Sequence, residues 1–204
     1  MSDPIPSWNY NPILRQSSFD STVDSPGSWL FSALDLKTAA DRIDWRRKPV
    51  RDDEPSVGLH RVYRMLIGMS MESLLKGILV AQGAQILNAK GKLRKDFTIH
   101  DLCVLAGRVD DRSFQFSEQD LKILRNLKPF IEWAGRYPLP ISASGLIVVG
   151  HSSTEVIAEA GLWDRLYKHL ITIGWVSKGG GKRLYFDRSR YSPGEQGNSA
   201  QPVS

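Results

Sequence analysis

Three ionisable residues and a glycine on one long apolar stretch have the types and spacing to act together. In VGLHRVYRMLIGMSMESLLKGILVAQG (57–83), Arg61, Gly68, Glu72 and Lys76 fall within about 80° of one another on a helix turning roughly 100° per residue. Glu72 stands four residues before Lys76, the favoured order for an ion pair along a helix. Most of the remaining circumference is apolar, through Leu66, Ile67, Met71, Leu74, Leu75 and Ile78 among others, so this helix has to be enclosed by other elements. A desolvated Glu–Lys pair needs further polar partners. His100, Arg136 and Tyr137 are the candidates, and Asp101, Arg125 and Asn126 complete the set. Two roles fit: a structural lock joining the second, third and fourth helices, or a polar groove for a nucleotide or an RNA phosphate. Buried ionic groups pair with each other more often than with ligands, so the lock is the primary expectation.

Other chemistries find no pattern. The Gly-rich SKGGGK (177–182) fails as a phosphate loop, because Val176 stands where the first Gly is required and Arg183 where Ser or Thr is required. The four histidines form no His-Glu-x-x-His motif and no i, i+3 or i, i+4 pair, so no metal site is expected. No Gly-x-Ser-x-Gly nucleophile elbow occurs, and no cofactor is expected. Cys103, the lone cysteine, sits in an apolar run and reads as a small buried hydrophobe.

The net charge of +5 is local. Residues 174–192 carry Lys178, Lys182, Arg183, Arg188 and Arg190 against Asp187 alone, which accounts for four of the five charges. Any nucleic-acid footprint is therefore expected at the C-terminal end. With 41% apolar and 24% charged residues the composition is that of an ordinary globular domain, and no run approaches the roughly 20 apolar residues of a membrane span. A cytoplasmic protein without membrane contact is the expectation.

The elements that must position these residues follow from caps and periodicity. Residues 1–27, with four prolines, read as an extended or disordered arm. A first helix is expected from an N-cap at Ser28 to just before Pro49, and the central helix from Val57 to about Gly83. After the polar loop Asn88 to Asp96, Thr98 and Asp101 predict a short third helix by their capping-box spacing. A fourth helix is expected from an N-cap at Ser117 to just before Pro138, kinked where Pro129 deprives the Arg125 carbonyl of its partner. The fifth runs from Ser152 or Ser153 to about Ile173, with Val156, Ala160, Trp163, Leu166, Tyr167 and Leu170 on its buried face. Residues 174–188 predict a short basic β-hairpin, and 189–204 a disordered tail.

The helix order, with LIGMSMESLLKGILVAQG on the second helix, HDLCVLA on the third and WAGRYPLP closing the fourth, resembles a HEPN (higher eukaryotes and prokaryotes nucleotide-binding) domain. More narrowly it is similar to bacterial HEPN-like proteins with Glu-x-Leu-Leu-Lys-Gly, His-Asp-Leu and Trp-Ala-Gly-Arg-Tyr-Pro elements, over about residues 28 to 140. The resemblance implies an all-α bundle of four or five helices within 28–173, often homodimeric, of a kind found in toxin–antitoxin and anti-phage systems. Catalytic members carry Arg, four to six residues, then His, on the last core helix. Arg125-Asn126 fits the start of that pattern, but positions 130 to 132 are Phe, Ile and Glu, so the acid–base imidazole is missing. Arg94 and His100 have a permitted spacing in a different place, but about one such match is expected by chance in this composition. The expectation is a non-catalytic binding or regulatory module associated with RNA and a cognate partner protein. The alternatives are a metal-independent endoribonuclease toxin and a DNA-binding regulator using the C-terminal hairpin.

Overall fold

A computed structural model describes residues 22–43, 58–110, 112–134 and 153–176. Five α-helices run through them: α1 (Pro26–Asp41), α2 (Gly58–Ala81), α3 (Leu102–Ala106), α4 (Glu118–Pro129) and α5 (Ser153–Val176). A 3-10 turn, Lys95–Phe97, precedes α3, and a π-helical turn, Phe130–Ala134, continues α4. Among the described residues there is no strand, only an isolated antiparallel bridge between Leu87 and Leu93. No described helix is long and apolar enough to cross a membrane.

The apolar circumference of α2 has the expected outcome. Residues 70–79 are buried without a break, and α1, α3, α4, the π turn and α5 all pack on this helix. Met71, Leu74, Leu75 and Ile78 are fully buried against Leu30, Leu102, Leu105, Leu124, Leu127 and Leu166 within one core. Two glycines let neighbours approach the α2 backbone. A Cβ at Gly68 would lie 2.7 Å from Ile131 Cγ1, and one at Gly77 would lie 2.8 Å from Leu170 Cδ2. Gly68 therefore belongs to a packing contact rather than to a polar line. One hydroxyl joins three helices: Ser70 Oγ donates to the Ala33 carbonyl at 2.7 Å and accepts from Trp163 Nε1 at 2.7 Å.

Several boundaries differ from expectation. Helix α1 starts at Pro26, with extended Ser25 as N-cap and Pro in the first turn, where a missing amide hydrogen costs nothing. Val23 is already buried and accepts the Trp29 indole N–H at 2.9 Å, so the described chain joins the bundle before residue 27. The same helix ends at Asp41, well short of Pro49. The cap of α3 is Asp101, whose carboxylate accepts from the amides of Cys103 (3.0 Å) and Val104 (3.2 Å), while Thr98 closes the 3-10 turn instead. Ser117 caps α4 as expected, and Asp120 completes a capping box. The expected kink at Pro129 takes the form of the π turn, where the lost hydrogen bond is absorbed by a wider winding. The buried face of α5 is rotated: Glu159 and Leu162 are buried with Leu166 and Leu170, while Ala160 is exposed. Cys103 is half-buried, and burial beside Asp101 raises its thiol pKa.

The predicted hairpin 174–188 and tail 189–204 fall on residues of which the structure describes only the end of α5, and most of the predicted arm 1–27 lies outside the described residues.

Candidate functional site: ionic clusters around the central helix

The central helix presents Glu72 and Lys76 on one face, and the structure brings His100 to them. Lys76 Nζ lies 2.5 Å from Glu72 Oε1, and His100 Nδ1 lies 3.0 Å from Glu72 Oε2. Glu72 and Lys76 are buried, whereas His100 is exposed on the chain entering α3. The Lys76 ammonium also sits over the Trp29 ring of α1, 5.7 Å from its centroid. Both oxygens of the carboxylate are thus engaged, and the Lys76 ammonium is neutralised by it.

A second pair extends this cluster to α4. The Asp101 carboxylate that caps α3 also takes Lys128 Nζ at 2.5 Å, and Lys128 reaches Glu132 at 3.8 Å. Burial works to raise the Asp101 pKa, but the Lys128 bond and the two amides outweigh it and hold the group below the usual carboxylate range. Lys128 is raised in turn by Asp101. Asp101 therefore ties the third helix to the fourth.

At the other end of α2 lies a cluster that the sequence reading missed. Arg64 and Glu159 meet at 2.5 Å with side chains only 1% and 3% exposed, making this the most deeply buried ion pair among the described residues. Arg64 Nη2 donates to the Asn126 carbonyl at 3.4 Å, and its guanidinium lies 5.1 Å from the Phe130 ring centroid in the π turn. His60 meets Phe130 edge to face at 6.2 Å. Desolvation, more than the Arg64 and Arg61 charges, lowers the His60 pKa. Burial pushes Glu159 up to about 7 against the attraction of Arg64, with Glu155 adding to the rise. Its Oε2 atom has no hydrogen-bond partner among the described residues. A signal did exist in the sequence. Arg64 shares the helical stripe of Ile67, Met71, Leu74 and Ile78, and Glu159 shares that of Leu162, Leu166 and Leu170. Each is a charge of opposite sign set in an otherwise apolar stripe.

The remaining candidates are dispersed. Arg61 is half-buried near Arg64, about 16 Å along the helix from Glu72. Arg94 is held by Asp96 at 3.1 Å, a carboxylate that also takes Arg108 at 3.0 Å, while His100 is engaged with Glu72. These two residues therefore lean on different acids. Arg125 is exposed at the rim of a groove of about 620 Å³ floored by Cys103, Val109, Phe114, Phe116 and Leu121. Asn126, half-buried, uses its carbonyl for Arg64. Arg136, Tyr137, Lys178, Lys182, Arg183, Arg188 and Arg190 lie outside the described residues. No group of three His, Cys, Asp or Glu side chains among the described residues is placed to hold a metal ion.

Compared with known proteins, the chain matches no family model, no curated protein and no solved structure.

Proposed function

We propose that this chain is a non-catalytic, HEPN-like binding or regulatory module that works with RNA in a toxin–antitoxin or anti-phage setting, as a homodimer with a cognate partner protein. One observation carries the reading against a catalytic one: several of the candidate acid–base and cationic groups are engaged with one another. Glu72 is taken by Lys76 and His100, Asp101 by Lys128, and Arg94 by Asp96. On α4 and the π turn, Arg125 is followed by the buried Phe130 and Ile131 and by Glu132, so no imidazole stands on that helix to move a proton from a ribose hydroxyl. The helical order and the all-α core support the HEPN-like part of the proposal. Induced expression in a bacterial host should leave growth and bulk RNA intact. Loss of RNA that disappears in His100→Ala would overturn the reading in favour of a metal-independent endoribonuclease.

A further inference from the structure

We propose that the hairpin tip between Leu87 and Leu93, with Lys95 beside it, is a contact surface for the phosphodiester backbone of RNA; this rests on the RNA association proposed above and adds the surface. The tip is a built turn. Asn88 accepts the Gly91 amide on its carbonyl at 2.9 Å and donates its own amide to Lys92 at 2.9 Å. Its side-chain oxygen accepts from the amides of Lys90 (2.9 Å) and Lys92 (3.2 Å). Gly91 takes the left-handed conformation, φ 67°, that such a turn needs. Below the tip, the Arg94 amide donates to the Ile86 carbonyl at 2.8 Å, which anchors the turn to the buried Ile86.

Several cations of the bundle are paired. Lys37, Arg108, Lys128, Arg165 and Lys168 each lie within 3.0 Å of a carboxylate. Lys90, Lys92 and Lys95 are exposed and form no ion pair among the described residues. Among the described residues, the carboxylate that follows them in the chain, Asp96, is already shared by Arg94 and Arg108. Two uncompensated ammonium groups on the ordered tip and a third on the 3-10 turn that follows it form a positive field that favours a polyanion. The kind of polyanion follows from what accompanies them. Ammonium groups are point charges without the fork that reads base edges, and the tip has no aromatic side chain on which a base would stack. A protein interface needs an apolar centre and is depleted in Lys, whereas the one exposed large apolar side chain here is Leu93, 36% exposed. Phosphates, contacted without regard to sequence, are the fitting partner.

The test is fluorescence anisotropy of the full chain with a labelled oligouridylate across a salt series. In Lys90→Gln/Lys92→Gln/Lys95→Gln, the slope of log affinity against log salt should shrink by about 2, at roughly 0.7 for each lost contact to a single strand, and low-salt affinity should fall about tenfold or more. Lys37→Gln/Lys168→Gln, which removes two lysines already held in ion pairs, should keep the slope. Lys92→Gln alone should shrink it by about 0.7, which keeps the result readable if the triple variant fails to fold. A triple variant that binds with an unchanged slope overturns the tip and leaves the RNA reading standing. A wild-type chain that binds no oligouridylate at low salt overturns both. Poly-glutamate that displaces the RNA with equal affinity, in a manner lost in the triple variant, overturns the nucleic-acid assignment in favour of an acidic protein.

Discussion

Both oxygens of Glu72 are engaged, one by Lys76 at 2.5 Å and the other by His100 at 3.0 Å, in a side chain only 11% exposed. Truncation to alanine would leave the Lys76 ammonium buried without its carboxylate, beside the Trp29 ring. An abandoned buried charge costs about 3 to 5 kcal/mol, whereas an exposed pair contributes at most about 1. Glu72→Ala should therefore lower the melting temperature by several degrees, at roughly 2 to 4 °C per kcal/mol, while Glu132→Ala, whose 3.8 Å contact to Lys128 is largely exposed, should change it little. Equal melting temperatures, combined with lost RNA binding in Glu72→Ala, would show that the carboxylate serves a ligand instead. This constellation was legible in the sequence because its central pair obeys the i, i+4 rule on a single helix. The Arg64–Glu159 pair was not legible in the same way. Its partners are 95 residues apart on different helices, and no local spacing rule connects them.

At the scale of elements, Glu159 meets Arg64 where α5 packs on α2, and the cost of ionising its buried carboxyl should depend on pH. The folded-state pKa of Glu159, about 7, lies above its unfolded value of 4.5, so between these limits the folded chain binds more of this proton than the unfolded one. Its contribution is complete below pH 4.5 and is lost as pH rises through about 7. His60 and His169 act in the opposite sense. Burial lowers both folded pKa values, so their contribution is present above 6.5 and is lost as pH falls. The difference between wild type and Glu159→Gln isolates the carboxylate. In denaturant unfolding from pH 5 to 8, the stability of wild type minus that of the variant should fall by about 2 to 3 kcal/mol, on top of the rise that the two histidines give to both. Parallel profiles would mean that Glu159 titrates as it does in water. The elements themselves were largely legible: α2 and the α4 cap lie where apolar periodicity and Ser117 put them. The errors fell where two local signals competed. Pro26 and Ser25 displaced Ser28 as the start of α1, and Asp101 displaced Thr98 at α3. On α5 the stripes through Ala160 and through Leu162 are both apolar enough to bury, and the tertiary partners on α2 and α4 chose the second.

For the molecule as a whole, the charge map inverts the emphasis of the sequence. Composition points to the C-terminal basic run, which lies outside the described residues, while the lysines at 90, 92 and 95 stand out only because the neighbouring carboxylate, Asp96, is engaged by Arg94 and Arg108. A count of charges along the chain cannot register which of them are cancelled in space. The same gap between sequence distance and spatial distance bears on how the chain assembles, and the Ser70 hydroxyl marks it. Its bond to Ala33 spans 37 residues and its bond from Trp163 spans 93. Helices α1 and α2 are neighbours in the chain and share the most extensive interface, so their contact can close early at small entropic cost. Helix α5 has a longer loop to close and should dock late. In stopped-flow kinetics, Trp163→Phe should speed unfolding and leave refolding nearly unchanged, whereas Leu30→Ala, at the core contact between α1 and α2, should slow refolding. During that interval the chain would exist as a helical pair with one hydroxyl bonded on one side only, waiting for the indole that completes it.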